Sequence, residues 1–211
     1  MFGDGALTLR EFAMREQLPL AALHDAILNF LRHRDDAVLF GAQAVNAYVD
    51  EPRMTQDVDI LSTRAAEFAE ELRAHLARAF TIAVRTREVA AGRGFRIYQL
   101  RQPSNRHLAD VRSVTELPPT TLIADVRVPI VEVLIAQKVM SAGSRSAQPK
   151  GDTDRRDLKV LLLAYPSLKS DDGPVRMRLV ASGASEAILS EWQRIVATPI
   201  QSPAEDDEFV G

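Results

Sequence analysis

Residues 39–62 read LFGAQAVNAYVDEPRMTQDVDILS, and this stretch decides which fold we predict. Asp57 and Asp59 stand at alternate positions of a run that otherwise has the composition of a buried strand. Side chains two residues apart in a strand point to one face and lie roughly 6.5–7 Å apart along the chain. Burying a carboxylate without a partner is costly. The pair therefore indicates either a bound cation or an edge strand whose carboxylates face water.

The composition is that of one globular domain, or of a core domain with a smaller packed lobe. The chain has 211 residues, 46% of them hydrophobic, and a formal net charge of −3. The overall charge therefore does not indicate a nucleic-acid-binding protein. Because cysteine is absent, disulfides, thiolate metal sites and thiol nucleophiles are excluded. The sequence shows neither an apolar run of membrane-spanning length nor a signal peptide. We therefore expect a cytoplasmic protein without membrane contact.

Hydrophobic periodicity predicts alternating helices and strands, followed by helices alone. In chain order we expect a short helix over 8–15, a helix from 19, a strand over 37–40, a short helix over 42–48, a strand around 58–60, a helix over 64–80, strands over 81–85, 95–100, 107–111 and 122–128, and a helix over 131–140. A small, polar and mobile segment is expected over 141–152, then a helix over 153–164 and one or two helices over 174–197.

This order predicts an α/β (α+β) fold in which a mixed β-sheet is flanked by helices. We divide the chain into a core over residues 1–128, a C-terminal helical lobe over 129–200, and an acidic tail over 201–211 that is expected to be disordered.

A third acid accompanies the first pair. Asp110 lies in the strand-like residues 107–111, and three carboxylates would share one face if that strand lay beside the first. Gly41 and Ala42 end a strand and open a helix, where free backbone N–H groups can receive a phosphate. Oxygen ligands suit Mg²⁺ or Mn²⁺, and three acids beside a helix start form the arrangement that two-metal phosphoryl transfer requires. Asp125 remains open as an alternative third carboxylate.

Three motifs carry a resemblance to a known family. Residues 41–61 resemble the first motif of the nucleotidyltransferase (DNA polymerase β-like) superfamily, and their R-x-T-x-D-h-D form, with h apolar, is most similar to AbiEii-type and MNT-type minimal nucleotidyltransferases. Residues 129–141, PIVEVLIAQKVMS, resemble the family's lysine-bearing helix, and residues 150–164, KGDTDRRDLKVLLLA, resemble its later acidic helix. The chain departs from the family at Ala42, where Gly or Ser is usual, and at Thr153, where Lys is usual.

The resemblance implies an enzyme with a nucleotidyltransferase-like fold that uses Mg²⁺ or Mn²⁺ to move an NMP from an NTP to a hydroxyl acceptor. The acceptor would be a tRNA 3′ end, a protein or a small molecule. Some proteins of this kind are toxins of toxin–antitoxin systems, so a cognate antitoxin is a further expected partner. The alternative is a catalytically inactive NTP-binding, regulatory or interaction module of the same fold.

The same resemblance assigns roles to individual residues. The expected catalytic and metal-binding residues are Asp57, Asp59 and Asp110. The expected nucleotide- or phosphate-binding residues are Gly41, Ala42, Arg53, Thr55, Lys138, Asp154 and Asp157.

Other polar residues leave their roles open. Gln43 and Asn46 face a pocket, cap the short helix or lie on the surface. A basic group can guide a nucleic-acid backbone or form a solvated sheet face, and its members are Arg93, Arg96, Arg101 and Arg106. The histidines show no metal-ligand spacing and are read as ordinary side chains; they are His24, His33, His75 and His107.

Overall fold

The computed structural model describes residues 18–50 and 52–201. The short helix predicted over 8–15 and the acidic tail beyond residue 201 lie outside the described residues. The chain divides between Ile130 and Val131 into two compact units, the first an α/β unit and the second helical. Across the two described ranges, none of the helices has the length and apolarity that would let it cross a membrane.

The α/β unit contains every strand of the described chain. Its helices are α1 Leu20–Leu31, α2 Gly41–Asn46 and α3 Ala65–Phe80. Its strands are β1 Ala37–Phe40, β2 Val58–Ser62, β3 Val84–Val89, β4 Gly94–Gln99, β5 Arg106–Ser113, β6 Thr120–Ile123 and β7 Val126–Pro129.

Five strands form one mixed sheet in the order β1-β2-β5-β4-β3. Only β2 and β5 pair in parallel; the other neighbours are antiparallel. The parallel pair needs a long crossover, which α3 and the β3–β4 hairpin provide. The strands that carry the predicted acids therefore lie side by side at the centre of the sheet.

Two amphipathic helices bury their apolar stripes in the same core as one face of this sheet. Leu23 and Ile27 of α1 and Phe68 and Leu72 of α3 are fully buried, together with Ile60 of β2. Full burial of such a side chain contributes roughly 1.5–3 kcal/mol. Because side chains alternate along a strand, the residues on either side of Ile60 point away from this core.

The single strand predicted over residues 122–128 is wrong, since the structure has a hairpin there. Strands β6 and β7 are joined by Ala124 and Asp125, which have φ angles of 49° and 64°. Two successive residues with positive φ make the type I′ turn that best fits the twist of a hairpin. Neither residue is a glycine, so the turn carries no glycine signal in the sequence.

The second unit is entirely helical in its described part. Its elements are α4 Val131–Ser144, α5 Pro149–Ala164, a 3₁₀ turn Pro166–Leu168, α6 Pro174–Ala181 and α7 Glu186–Ala197. The mobile segment expected over 141–152 is therefore largely helix. Pro149 opens α5 because the first helical position needs no backbone N–H. Gly151 allows the short connection, since a Cβ there would overlap the carbonyl group of Arg145.

Candidate active site

Asp59 and Asp110 lie opposite each other on the central parallel strands. Their Cα atoms are register partners between β2 and β5. The residues that flank Asp59, Val58 and Ile60, are fully buried in the core, so the carboxylate lies on the other face of the sheet. Asp57 precedes the first residue of β2 and is half-buried, as are Asp59 and Asp110. The structure therefore brings the three predicted acids to neighbouring positions at the start of β2 and the middle of β5.

An irregularity in β5 adds a histidine to this face. Ile97 pairs with Ala109 but Tyr98 pairs with His107, so Leu108 is an extra residue, and both it and Ala109 are fully buried. In a regular strand, residues three apart lie on opposite faces of the sheet. One extra, bulged residue between them shifts the alternation by one step and puts them on the same face. His107 and Asp110 consequently share a face.

The His107 ring lies between two of the carboxylates. Its Nδ1 is 3.1 Å from Oδ2 of Asp57, and its Nε2 is 3.1 Å from Oδ1 of Asp110. Burial alone would lower the pKa of His107, but the hydrogen bonds and negative charges of Asp110 and Asp57 outweigh burial and raise the pKa to about 10. The imidazolium thus contacts both carboxylates and offsets part of their negative charge.

Asp110 has a second cationic neighbour. Arg96 of β4, its register partner, donates from Nε to Oδ1 of Asp110 across 3.1 Å. Burial would raise the pKa of Asp110, but His107 and Arg96 together hold it below its ordinary value. Asp110 therefore remains ionised, which is the state that a metal ligand requires.

Asp59 has a different environment, formed by β1, α2 and Arg112 of β5. Arg112 donates to its Oδ1 across 3.4 Å, and the guanidinium lies 4.8 Å from the ring centre of Phe40. Gly41, the first residue of α2, has a φ of +70°, and a Cβ on it would overlap the Asp59 carboxylate. The absence of a side chain at Gly41 is what lets the start of α2 approach this carboxylate so closely.

The donor set suits a divalent cation. One ligand atom each from Asp57, His107 and Asp110 lie within 4.8 Å of one another, and all three side chains are partly accessible to solvent. Two carboxylates and an imidazole are common ligands of Mn²⁺, Fe²⁺ or Zn²⁺, and the carboxylates alone suit Mg²⁺. Asp59 is not part of this group. A regular strand would place His107 on the opposite face from Asp110, so the expectation of an ordinary histidine is wrong; the only signal in the sequence is the two adjacent apolar residues between them.

Side chains of α2 fix the loop that precedes β2. Gln43 donates to the hydroxyl of Thr55 across 2.9 Å. The Asn46 amide bonds both backbone groups of Arg53, donating to its carbonyl at 2.8 Å and accepting from its N–H at 3.0 Å. Gln43 and Asn46 thus hold the loop that carries Arg53 and Thr55.

Three of the predicted nucleotide-binding residues meet in the helical unit. The Lys138 ammonium lies 2.9 Å from a carboxylate oxygen of Asp154 and 2.7 Å from one of Asp157, and all three residues are buried. The hydroxyl of Ser141 also donates to Asp154. These contacts form a buried ionic cluster between α4 and α5. A contact of these residues with a nucleotide stays a prediction.

The alternative acid and the basic group lie in separate surroundings. Asp125 is exposed in the β6–β7 turn, whereas Asp110 lies opposite Asp59. Arg96 contacts Asp110, Arg106 is buried and donates to the Leu18 carbonyl, and Arg93 donates to the Ala90 carbonyl. These arginines therefore do not share one environment.

The fold resembles solved structures, although no protein-family model and no curated protein matches the chain. The Megavirus polyadenylate synthase is similar with a TM-score of 0.58 and 14% identity, over 78% of this chain and 37% of that one. JHP933 from Helicobacter pylori is similar with a TM-score of 0.52 and 13% identity, over 90% of this chain and 92% of that one. This chain therefore spans well under two thirds of the polyadenylate synthase.

These likenesses confirm the predicted fold class, a mixed sheet flanked by helices. They do not distinguish the AbiEii and MNT subgroups, which stay a prediction. We conclude that the chain has a nucleotidyltransferase-like fold.

Proposed function

We propose that this protein is a metal-dependent nucleotidyltransferase that transfers an NMP from an NTP to a hydroxyl group and releases pyrophosphate. One observation carries the proposal: Asp59 and Asp110 are register partners on the central parallel strands, and His107 links Asp57 to Asp110 on the same face. A solvent-accessible group of carboxylates at this place is what two-metal transfer of a phosphorus group needs.

Each carboxylate has a role that its surroundings support. Asp57, Asp59 and Asp110 hold Mg²⁺ or Mn²⁺, and the lowered pKa of Asp110 keeps that ligand charged. A divalent cation bound there supplies Lewis-acid stabilisation of the phosphate charge and lowers the pKa of a coordinated hydroxyl. Asp110 also accepts the proton of the acceptor hydroxyl if the substrate places that hydroxyl within hydrogen-bond reach.

The chain's own phosphate contacts come from the segment on either side of the acids. The backbone amides of Gly41 and Ala42 receive phosphate oxygens next to Asp59. Arg53 and Thr55 bind the triphosphate or brace their own loop, which Gln43 and Asn46 hold in place. A loop that is ordered before the substrate arrives lowers the entropic cost of binding. In the helical unit, Lys138, Asp154 and Asp157 are further proposed nucleotide-binding residues.

The acceptor is a tRNA 3′ end, a protein hydroxyl or a small molecule. A nucleotidyltransferase of the AbiEii or MNT kind can act as a toxin, and we extend the proposal to a toxin that a cognate antitoxin neutralises. Growth arrest on expression, abolished by Asp57→Ala, is the expected sign of a catalytic toxin. Arrest that persists in this variant would show that any toxicity comes from binding.

Pyrophosphate release tests the proposal directly. We expect release with Mg²⁺ or Mn²⁺ and one of the four NTPs, first with total tRNA and then with a cell lysate as the source of acceptor. Asp57→Ala and Asp59→Ala abolish the signal, whereas Asp125→Asn, which changes an exposed turn acid, leaves it intact. NTP binding without release under every condition would overturn the proposal and favour an inactive NTP-binding module.

A further inference from the structure

His107 is placed as a member of the cation site. Both of its ring nitrogens contact carboxylates of the site, and the bulge at Leu108 is what turns the ring to this face. We propose that His107 releases a ring proton to solvent when the ion binds and is itself a ligand, so that the site prefers Mn²⁺ and similar transition-metal ions to Mg²⁺. The inference deepens the proposed function by naming the kind of ion, and it rests on that function only for the ion's part in catalysis.

The distances between donor atoms suit a shared ion. Each nitrogen of His107 is 3.1 Å from the nearest carboxylate oxygen. Bonds from small divalent cations to nitrogen or oxygen are about 2.0–2.2 Å long, so two ligands at a right angle are about 3 Å apart. One ring nitrogen and one carboxylate oxygen are therefore at a separation that allows both to bind the same ion.

The ring is also held in position. Tyr98 is the register partner of His107, and the two ring centres are 5.1 Å apart with the planes 32° from parallel. Asp110 is held in turn by Arg96. A ligand whose orientation is fixed by its neighbours loses less entropy on binding, which raises the affinity for the ion.

The donor chemistry sets the preference. Imidazole nitrogen suits transition-metal ions, whereas Mg²⁺ favours oxygen ligands and retains much of its water. A site with only Asp57, Asp59 and Asp110 would be a Mg²⁺ site, and the added nitrogen of His107 shifts it toward Mn²⁺. No other histidine of the described chain belongs to a group of three or more possible metal ligands.

Pulsed electron paramagnetic resonance of bound Mn²⁺ tests the ligand without any nucleotide. The metal-free full chain is loaded with Mn²⁺ alone, and we expect coupling to a directly bound nitrogen that changes when histidine is labelled with ¹⁵N. The signal disappears in His107→Gln and persists in the control His33→Asn, which changes an exposed histidine. Because labelling needs no mutation, the wild-type spectrum decides the matter even if the variant folds poorly.

Titration gives the second readout. Loss of even an outer partner of a metal ligand costs about 10- to 100-fold in metal affinity. We therefore expect His107→Gln to weaken Mn²⁺ binding at least about tenfold. A lower concentration of Mg²⁺ should then displace the bound Mn²⁺ from the variant. Nitrogen-free spectra would overturn the inference, as would tighter Mn²⁺ binding in His107→Gln, which would show that the histidine competes with the cation. Either result is separate from failure of nucleotidyl transfer, because no NTP is present.

Discussion

Gly41→Ala perturbs the point where α2 meets the Asp59 carboxylate. Two costs add at this position. An L-residue held at a φ of +70° costs roughly 1–2 kcal/mol relative to glycine. The new methyl group would also overlap the Asp59 carboxylate, and forced shifts of this kind cost about 1–3 kcal/mol. We therefore expect the α/β unit to lose about 2–5 kcal/mol of its free energy of unfolding.

Gly92→Ala is the matched control in the same unit. Gly92 has a φ of +81°, but the nearest atom to its added Cβ, Oε1 of Glu88, is 3.5 Å away, which is ordinary van der Waals contact. This variant therefore carries the backbone cost without the overlap. Both substitutions reduce the entropy of the unfolded chain alike, so their difference isolates the contact with Asp59.

Urea titration followed by far-UV circular dichroism measures both variants. Trp192 is the only tryptophan and lies in the helical unit, so its fluorescence follows that unit separately. Since the overlap displaces a proposed ligand, Gly41→Ala should also weaken Mn²⁺ binding, while Gly92→Ala should not. Equal losses of stability in the two variants, with unchanged Mn²⁺ affinity, would refute the view that a glycine is needed at position 41 to make room for the Asp59 carboxylate.

Three further predictions concern the rest of the chain. Lys138→Met leaves Asp154 and Asp157 buried without their ammonium partner, and urea titration of the helical unit by Trp192 fluorescence should show a loss of about 3–5 kcal/mol; under about 1 kcal/mol would contradict a buried ionic cluster. In EDTA, the raised pKa of His107 makes its contribution to stability fully present below pH 6.5, and this contribution is lost as pH rises toward about 10. The midpoint temperature of thermal unfolding should therefore fall across this pH window, and it should fall less steeply in His107→Gln than in wild type. Ala124→Asn relieves a φ of 49° in the β6–β7 turn and should add about 0.5–1 kcal/mol by denaturant titration, whereas a loss would argue against the type I′ turn.

The sequence indicates the central sheet because the relevant signals are local. The alternation around Asp57 and Asp59, the strand break at Gly41 and the helical period of residues 64–80 each predict one element, and the structure has all of them. The bounds shift by a few residues, most at β3, which was expected over 81–85 and spans Val84–Val89. The pairing of Asp59 with Asp110 follows once β2 and β5 are neighbours.

The missed features depend on pairing between distant segments. The bulge that places His107 beside Asp110 exists only in relation to β4, since Leu108 is extra by comparison with the partner strand. The β6–β7 turn places Ala124 as well as Asp125 at positive φ, and the conformational preference of alanine does not favour this. The surroundings of Lys138 depend on how α4 packs against α5, and periodicity does not report which side chains meet there.

Transfer of label from the α-phosphate tests the central claim most directly. NTP labelled at either the α- or the γ-phosphate is incubated with the protein, Mn²⁺ and the acceptor fraction that supports pyrophosphate release. We predict that the acceptor gains label from the α-phosphate alone, that Asp57→Asn and Asp59→Asn abolish this transfer, and that Asp125→Asn does not. Label arriving from the γ-phosphate, or no transfer by a wild-type protein that binds both Mn²⁺ and NTP, would contradict nucleotidyl transfer at this carboxylate site.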